Sequence, residues 1–327
     1  MILVTGGAGF IGSNLVAGLV EEGRRVVVSD TLGSDDKWRN LARHAIDELV
    51  APGTLAELLE RRGREIRLVY HLGAVTSTTE IDADLIVETN LRLSQRIWRW
   101  CAANEVPLVY ASSAATYGDG SGGFSDTDSP EALARLRPLN AYAWSKHAFD
   151  RWVAREVVED RPAPPSWYGL KLFNVYGPNE YHKGDMRSVV AKAFPRAACG
   201  EPVTLFRSHR LDYADGGQKR DFVYVFDCVD VMTWLAGRRA ASGIYNVGTG
   251  RAQTWLEAMG ALYGALGREP HVEWVDTPAE IRDRYQYFTQ ADLAKLRAAG
   301  YEGSFAPVEA GVRDYVERYL AADDPYR

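Results

Sequence analysis

The 327-residue sequence predicts an α/β protein with a doubly wound parallel sheet and a smaller C-terminal α/β lobe. Three observations predict it. An apolar run, Ile2-Leu3-Val4, leads straight into a glycine turn and an amphipathic helix that reaches Glu22. Short strand-like runs then alternate with helical spacing through the first half of the chain. Asp30 closes the second of these runs about 20 residues past the glycines, the spacing of a dinucleotide-binding fingerprint.

Bulk composition narrows the classes. The chain is 46% hydrophobic and 25% charged, ordinary for a soluble globular protein. A formal net charge of −6 and a pI near 5.6 argue against a nucleic-acid or anionic-membrane surface. No apolar run approaches the ~20 residues that span a bilayer. Met1 opens directly on a buried-strand pattern, which leaves no room for a signal peptide. Cys101, Cys199 and Cys228 are odd in number and far apart, so neither a disulfide framework nor a metal cluster is expected. A cytoplasmic protein without a metal is the expectation.

The elements follow in order. Gly6, Gly9 and Gly12 in Thr5-Gly6-Gly7-Ala8-Gly9-Phe10-Ile11-Gly12 allow a sharp turn, close approach to a pyrophosphate and tight packing of helix on strand. The pyrophosphate would rest on free N–H groups at the helix N-terminus. Arg25 to Asp30 is the next strand. Asp30 would bind an adenosine ribose and favours NAD, whereas Lys37 could meet a 2′-phosphate or be a solvated loop lysine. Residues 40–64 carry two helical patterns broken at Pro52-Gly53. Arg67 to Leu72 is a strand that ends on Gly73-Ala74-Val75, leaving space against backbone for a cofactor. Thr76 to Thr79 offers four hydroxyls, which could bind phosphate or cap the following helix. That helix spans 85–104 and holds Asn90, either a buried bridge between elements or a cofactor contact.

Val106 to Ala111 is a further strand, and Ser112 and Ser113 stand at its carboxyl end, where ligands bind in such sheets. Tyr142 and Lys146 lie one helical turn apart on one face. An ammonium that close draws a phenol toward ionisation, which suits proton removal from a secondary alcohol. Ser113, Tyr142 and Lys146 thus form a constellation of hydrogen-bond donor, acid/base and ribose-holding ammonium. The chain divides into a Rossmann-type dinucleotide domain, 1–170, to which 222–248 returns, and a substrate lobe, 171–327, mainly 174–221 and 250–327. Residues 154–165 and 236–242 read as surface connections, and 254–266 and 308–320 as helices covering the lobe.

The glycine turn, Ser112-Ser113-Ala114-Ala115-Thr116-Tyr117-Gly118 and the Tyr142/Lys146 pair together resemble the extended short-chain dehydrogenase/reductase superfamily. Five further stretches narrow the resemblance: Leu170 to Pro178, which reads as a strand and exit loop, Glu180 to Met186 with its His182-Lys183-Gly184 element, Lys219 to Val225, Gly243 to Ala252, and Arg284 to Leu293. With Ser77-Thr78-Thr79-Glu80, this set is similar to the ADP-L-glycero-D-manno-heptose 6-epimerases, a family within that superfamily. The resemblance implies an isomerase acting on ADP-heptose. It would oxidise C6″ to a ketone and return hydride to the opposite face. Tyr142 would serve as acid/base on one side and Lys183 on the other, supported by Ser113 and Lys146; Lys183 could instead pair with phosphate.

The same resemblance implies a homo-oligomer and NADP, with NAD as the other candidate. Asp30, Thr31 and Lys37 match its adenosine pocket, although Thr31 departs from a usual Asn. A basic residue expected past position 50 is missing, with Val50-Ala51-Pro52-Gly53 in its place. Phe10, Ile11, Leu72, Gly73, Ala74, Val75, Thr76, Asn90 and Val175 match further cofactor positions, as do Lys146 and Lys183. Asn174, Phe206, Arg220 and Tyr285 match substrate positions, with Ser113. Asp185 and Lys192 also occupy substrate positions but differ in type from the family. The stretch from Arg207 to Lys219 is longer than the family norm, and the Asp215-Gly216-Gly217 turn chemistry favours a bulge into solvent over a remodelled pocket. The alternative function is another NAD(P)-dependent nucleotide-sugar 4-epimerase or 4,6-dehydratase. Ala114-Ala115 after Ser113 speaks against the dehydratase, and the intact Ser113, Tyr142 and Lys146 against a cofactor-binding scaffold.

Overall fold

Buried apolar strands set the architecture. The strands of the first half are β1 (Ile2–Thr5), β2 (Val26–Ser29), β3 (Glu48–Val50), β4 (Leu68–His71), β5 (Leu108–Ser113) and β6 (Trp167–Leu172). Then follow β7 (Asn174–Tyr176), β8 (Val203–Phe206), β9 (Lys219–Tyr224), β10 (Gly243–Val247), β11 (Ala252–Thr254) and β12 (Val272–Val275). The structure is a computed structural model; it describes residues 1–327 except Arg239, Asp283 and Arg284, and leaves out the side chains of Glu280 and Ile281. Arg284, where the last of the family-like stretches begins, therefore lies outside the described residues.

Seven strands form one parallel sheet in the order β10-β6-β5-β4-β1-β2-β3. Every residue of β1 and β2 is buried, because helices cover both faces and the strands need be apolar on both. One face carries the helices Phe10–Glu21 and Val225–Gly237, packed through Leu15, Val16, Val231 and Met232. The other carries Leu93–Ala103 and Ala141–Val158, packed through Ile97, Trp98, Phe149 and Val153. A separate core around Val190, Leu205, Phe222, Leu262 and Val312 lies under the small sheets β11-β9-β7 and β12-β8. Strand order reverses at β1, which pairs with β2 on one side and β4 on the other, so a crevice opens at the carboxyl ends of these strands.

Several local expectations change. Within 40–64 only the second helix forms, as Leu55–Arg62; the first pattern gives a 3-10 turn, Asp36–Leu41, and the edge strand β3. Three residues are too few to show a period, yet they satisfy the open edge of β2, with Val27 opposite Glu48. Asp82, not the hydroxyl loop 76–79, caps the next helix by accepting from Leu85 N–H at 2.9 Å. That helix starts at Ala83 and passes through a π-helical turn, Val87–Arg92, which contains Asn90. The strand and exit loop read over 170–178 break at Phe173, where the chain leaves the large sheet for the small one. The connections read at 154 and 236 begin later, because the preceding helices run on to Val158 and Gly237. Thr254 opens its helix with a reciprocal capping box to Glu257.

Candidate active site

The loop after β1 turns on Gly6, whose φ of +70° is open to glycine. A Cβ on Gly12 would overlap the Gly6 carbonyl oxygen, so the helix can start this close to the strand only with glycine there. Gly9 precedes the helix, and no side chain caps it, which leaves the first-turn N–H groups facing the crevice. Asp30 closes the turn from β2: Oδ2 accepts Ala8 N–H at 2.8 Å, and Oδ1 pairs with Lys37 Nζ at 2.7 Å. Lys37 also donates to the Thr31 carbonyl at 2.8 Å, while Thr31 itself is exposed and outside the cleft.

A cleft of about 610 Å³ runs along these strand ends. Gly6, Gly9, Phe10, Ile11, Gly12, Asp30 and Lys37 line one end, and Leu72, Gly73, Ala74 and Thr76 its floor. Ser113, Tyr142, Lys146, Asn174, Val175 and Lys183 line the other end. Val75 and Asn90 stand behind the wall. Asn90 is fully buried; its Oδ1 accepts Val75 N–H at 2.8 Å, and its Nδ2 donates to Val75 O at 2.9 Å and to Ser145 Oγ at 3.0 Å. Ser145 Oγ in turn donates to the Tyr142 carbonyl at 2.7 Å, so Asn90 ties the floor of the cleft to the Tyr142 helix. That is the bridging alternative.

Asn140 caps the helix Ala141–Val158 through Ala143 N–H at 2.8 Å and so sets Tyr142 in its first turn. Burial raises the phenol above its ordinary value and the Ser113 hydroxyl opposes the rise. This corrects the expectation of a phenol drawn toward ionisation by Lys146. The Lys146 ammonium donates to the Ala111 carbonyl at 2.9 Å, and burial pulls it down to about 8, with Asp150 opposing. Lys183 reaches the cleft from a 3-10 turn, Tyr181–Met186, kinked at Gly184 with φ +52°. Its Nζ lies 5.1 Å from the centre of the Phe10 ring. Burial lowers its pKa and Glu180 opposes that.

A second cavity, of about 720 Å³, shares Phe173, Asn174, Val175, Lys183 and Met186 with the cleft. Lys192, Phe206 and Tyr285 line it, the last two with ring centres 6.4 Å apart. Arg220 and Asp185 line neither space. Arg220 is buried behind Tyr285, its guanidinium 5.3 Å from that ring and 5.8 Å from Trp255, and it donates to the carbonyls of Lys219 and Gln286. Asp185 is exposed and offers Lys192 Nζ its carbonyl at 3.3 Å. The long loop does not simply bulge into solvent. His209 N–H donates to Tyr287 OH at 2.9 Å, Tyr213 packs on Tyr287 at 4.7 Å, and the His209 ring lies 6.1 Å from Tyr285. Buried aromatic surface on the 285–287 stretch outweighs the turn chemistry, while Leu211 at the tip stays fully exposed.

The sequence reading missed the pair behind the site. Lys171 on β6 and Asp150 on the Tyr142 helix, both without side-chain exposure, meet at 2.7 Å. Asp150 also accepts from Ser112 Oγ at 2.6 Å, and Lys171 donates to Thr116 Oγ1 at 2.6 Å, so the pair braces the strand end that carries Ser113. The available signal was a lysine inside an otherwise apolar strand. Among the described residues no group of His, Cys, Asp and Glu is arranged to hold a metal, and no helix is long and apolar enough to cross a membrane.

Comparison with known proteins gives the family and the fold. Residues 2–248 match the NAD dependent epimerase/dehydratase family. The chain is 48% identical to ADP-L-glycero-D-manno-heptose-6-epimerase of Nitratidesulfovibrio vulgaris over 329 residues, covering 100% of each. A solved structure of the Helicobacter pylori ADP-L-glycero-D-manno-heptose-6-epimerase superposes with a TM-score of 0.77 at 28% identity, covering 97% of this chain and 95% of that one. Thermus thermophilus UDP-glucose 4-epimerase, solved in complex with NAD, gives 0.76 at 29% identity, covering 98% and 99%.

Proposed function

The chain belongs to the NAD dependent epimerase/dehydratase family, and we propose that within it the protein converts ADP-D-glycero-β-D-manno-heptose to its L-glycero epimer by inversion at C6″. One observation carries the reading beyond the likeness: Tyr142 and Lys183, brought by separate elements, line one cleft. Inverting an alcohol carbon through a ketone requires the hydroxyl proton to leave and to return after the carbon has presented its other face. Two proton-transferring groups at one reaction space meet that need.

The uncapped helix start and the bare glycine backbone fit a dinucleotide, and a nicotinamide cofactor, when bound, supplies the acceptor and donor of the hydride. We assign NADP as the preferred form. Lys37 neutralises Asp30 at 2.7 Å, which removes the repulsion an acid would exert on a 2′-phosphate and leaves an ammonium beside it. Tyr142 takes the proton from the C6″ hydroxyl or returns it, Ser113 donates to the same oxygen, and Lys146, held on the Ala111 carbonyl, stands as the ribose-holding ammonium beside them. Lys183 exchanges a proton in the other orientation, its basicity reduced by burial and partly restored by Glu180. Phe206, Tyr285 and Lys192 border the space for the nucleotide, and Arg220 supports Tyr285 from behind.

Two substitutions test the assignment. Tyr142→Phe and Lys183→Met are each expected to lower turnover roughly a hundred- to ten-thousand-fold, with the nicotinamide cofactor still bound by absorbance. Full turnover by Lys183→Met would return that lysine to a phosphate-binding role.

A further inference from the structure

The loop that carries Lys183 is organised around a carboxylate that none of the steps above uses. Glu180 is fully buried. Its Oε1 accepts from Ser188 Oγ at 2.7 Å, Tyr315 OH at 3.2 Å and Gly177 N–H at 3.4 Å, and its Oε2 accepts from Ser188 N–H. Each oxygen thus holds a backbone N–H, a group that can only donate. A protonated carboxyl would set its own proton against one of them, so the network favours the ionised form against the burial that pushes the carboxyl up. The three partners belong to different parts of the small lobe. Gly177 follows β7, Ser188 caps the helix Val189–Cys199, and Tyr315 ends the helix Val308–Tyr315. Lys183 N–H donates to the Glu180 carbonyl at 3.1 Å, which fixes the turn between the two side chains.

We propose that Glu180 is the positioning residue for Lys183: it anchors the loop that presents the amine and supplies the counter-charge that keeps it able both to give and to take a proton. The proposal rests on the acid/base reading of Lys183 given above. A direct ion pair would lock the proton on the amine, and a buried amine with no acid near it would lose the proton for good. Glu180 does neither, since its oxygens are occupied by donors of their own. Other groups facing Lys183 do not duplicate it. His182, in the same turn, is pulled down to about 4 by burial and is neutral. Asp30 and Lys37 are paired with each other, and the helix Ala141–Val158 presents Tyr142 and the cation Lys146. Lys192, across the second cavity, is also a cation. Glu180 opposes the lowering of Lys183.

The experiment is the pH profile of epimerisation for Glu180→Gln, with a thermal melt to confirm folding and Lys183→Met in parallel. Losing the negative charge disfavours the ammonium, so the limb that reports Lys183 moves to lower pH by roughly one unit, with KM little changed. Should Glu180→Gln fail to fold, Glu180→Asp, which keeps the charge but draws it back, is expected to move the same limb part of the way. A folded Glu180→Gln with the wild-type profile, or a folded Glu180→Asp that loses only kcat at every pH, overturns the proposal. Full activity in Lys183→Met would instead overturn the acid/base reading beneath it, so the two failures are distinguishable.

Discussion

At the scale of single residues, the proximity of Tyr142 and Lys146 was legible in the sequence, but its electrostatic consequence was not. Helical spacing places the two side chains on one face; it does not say where the ammonium points or how much water reaches the phenol. In the structure the ammonium is drawn onto the Ala111 carbonyl and burial governs both groups. The sign of the effect of Lys146 on stability follows from its depressed value. Below pH about 8 the lysine is charged in folded and unfolded chains alike, and folding bears the full cost of burying it. Between about 8 and its ordinary 10.5 the unfolded chain binds more protons, so this group's penalty fades as the pH rises. Activity has the opposite dependence, because the charged ammonium is the ribose-holding group of the proposed site. Turnover is expected to fall as the pH passes about 8 while denaturant unfolding shows this site's cost shrinking. A flat activity profile across that range would show that the Lys146 charge is not needed for turnover.

At the scale of elements, regular apolar periodicity made the large sheet and its flanking helices readable from the chain alone. The exceptions share a cause: each depends on a partner distant in sequence. The strand β3 is specified by the free edge of β2, and Asn90 by the floor loop it ties to the Tyr142 helix. The Lys171–Asp150 pair joins residues 21 apart whose burial no local pattern announces. Removing Lys171 leaves a buried carboxylate with only hydroxyl partners. Lys171→Met is therefore expected to destabilise the fold by about 3–5 kcal/mol, read by urea denaturation, and to lower kcat more than it raises KM because the Ser113 strand end loses its brace. A stability change within 0.5 kcal/mol, the usual range of a surface substitution, would show that the pair is not structural.

At the scale of the whole molecule, the crevice sits where the sheet changes direction, and the small lobe closes it with the Lys183 turn and the second cavity. The glycine turn, Ser113, Tyr142 and Lys146 could be found in the sequence because their chemistry is tied to fixed places on this fold. Lys183, Asn174, Phe206 and Tyr285 came only through resemblance, since nothing in spacing or composition brings these small-lobe residues toward the dinucleotide side. The loop from 207 to 219 was misjudged because its anchor, Tyr287, lies about 80 residues downstream, as the 78-residue separation of His209 and Tyr287 shows.

The most direct test is to incubate the purified protein with ADP-D-glycero-β-D-manno-heptose, adding NADP only if the protein as isolated is inactive, and to follow the C6″ epimers by proton NMR. Growth of the L-glycero signal to an equilibrium mixture, without net accumulation of reduced cofactor, is the predicted result. No conversion with NADP or NAD present, alongside conversion of a UDP-hexose at C4, would contradict the account and assign the cleft to a different sugar nucleotide.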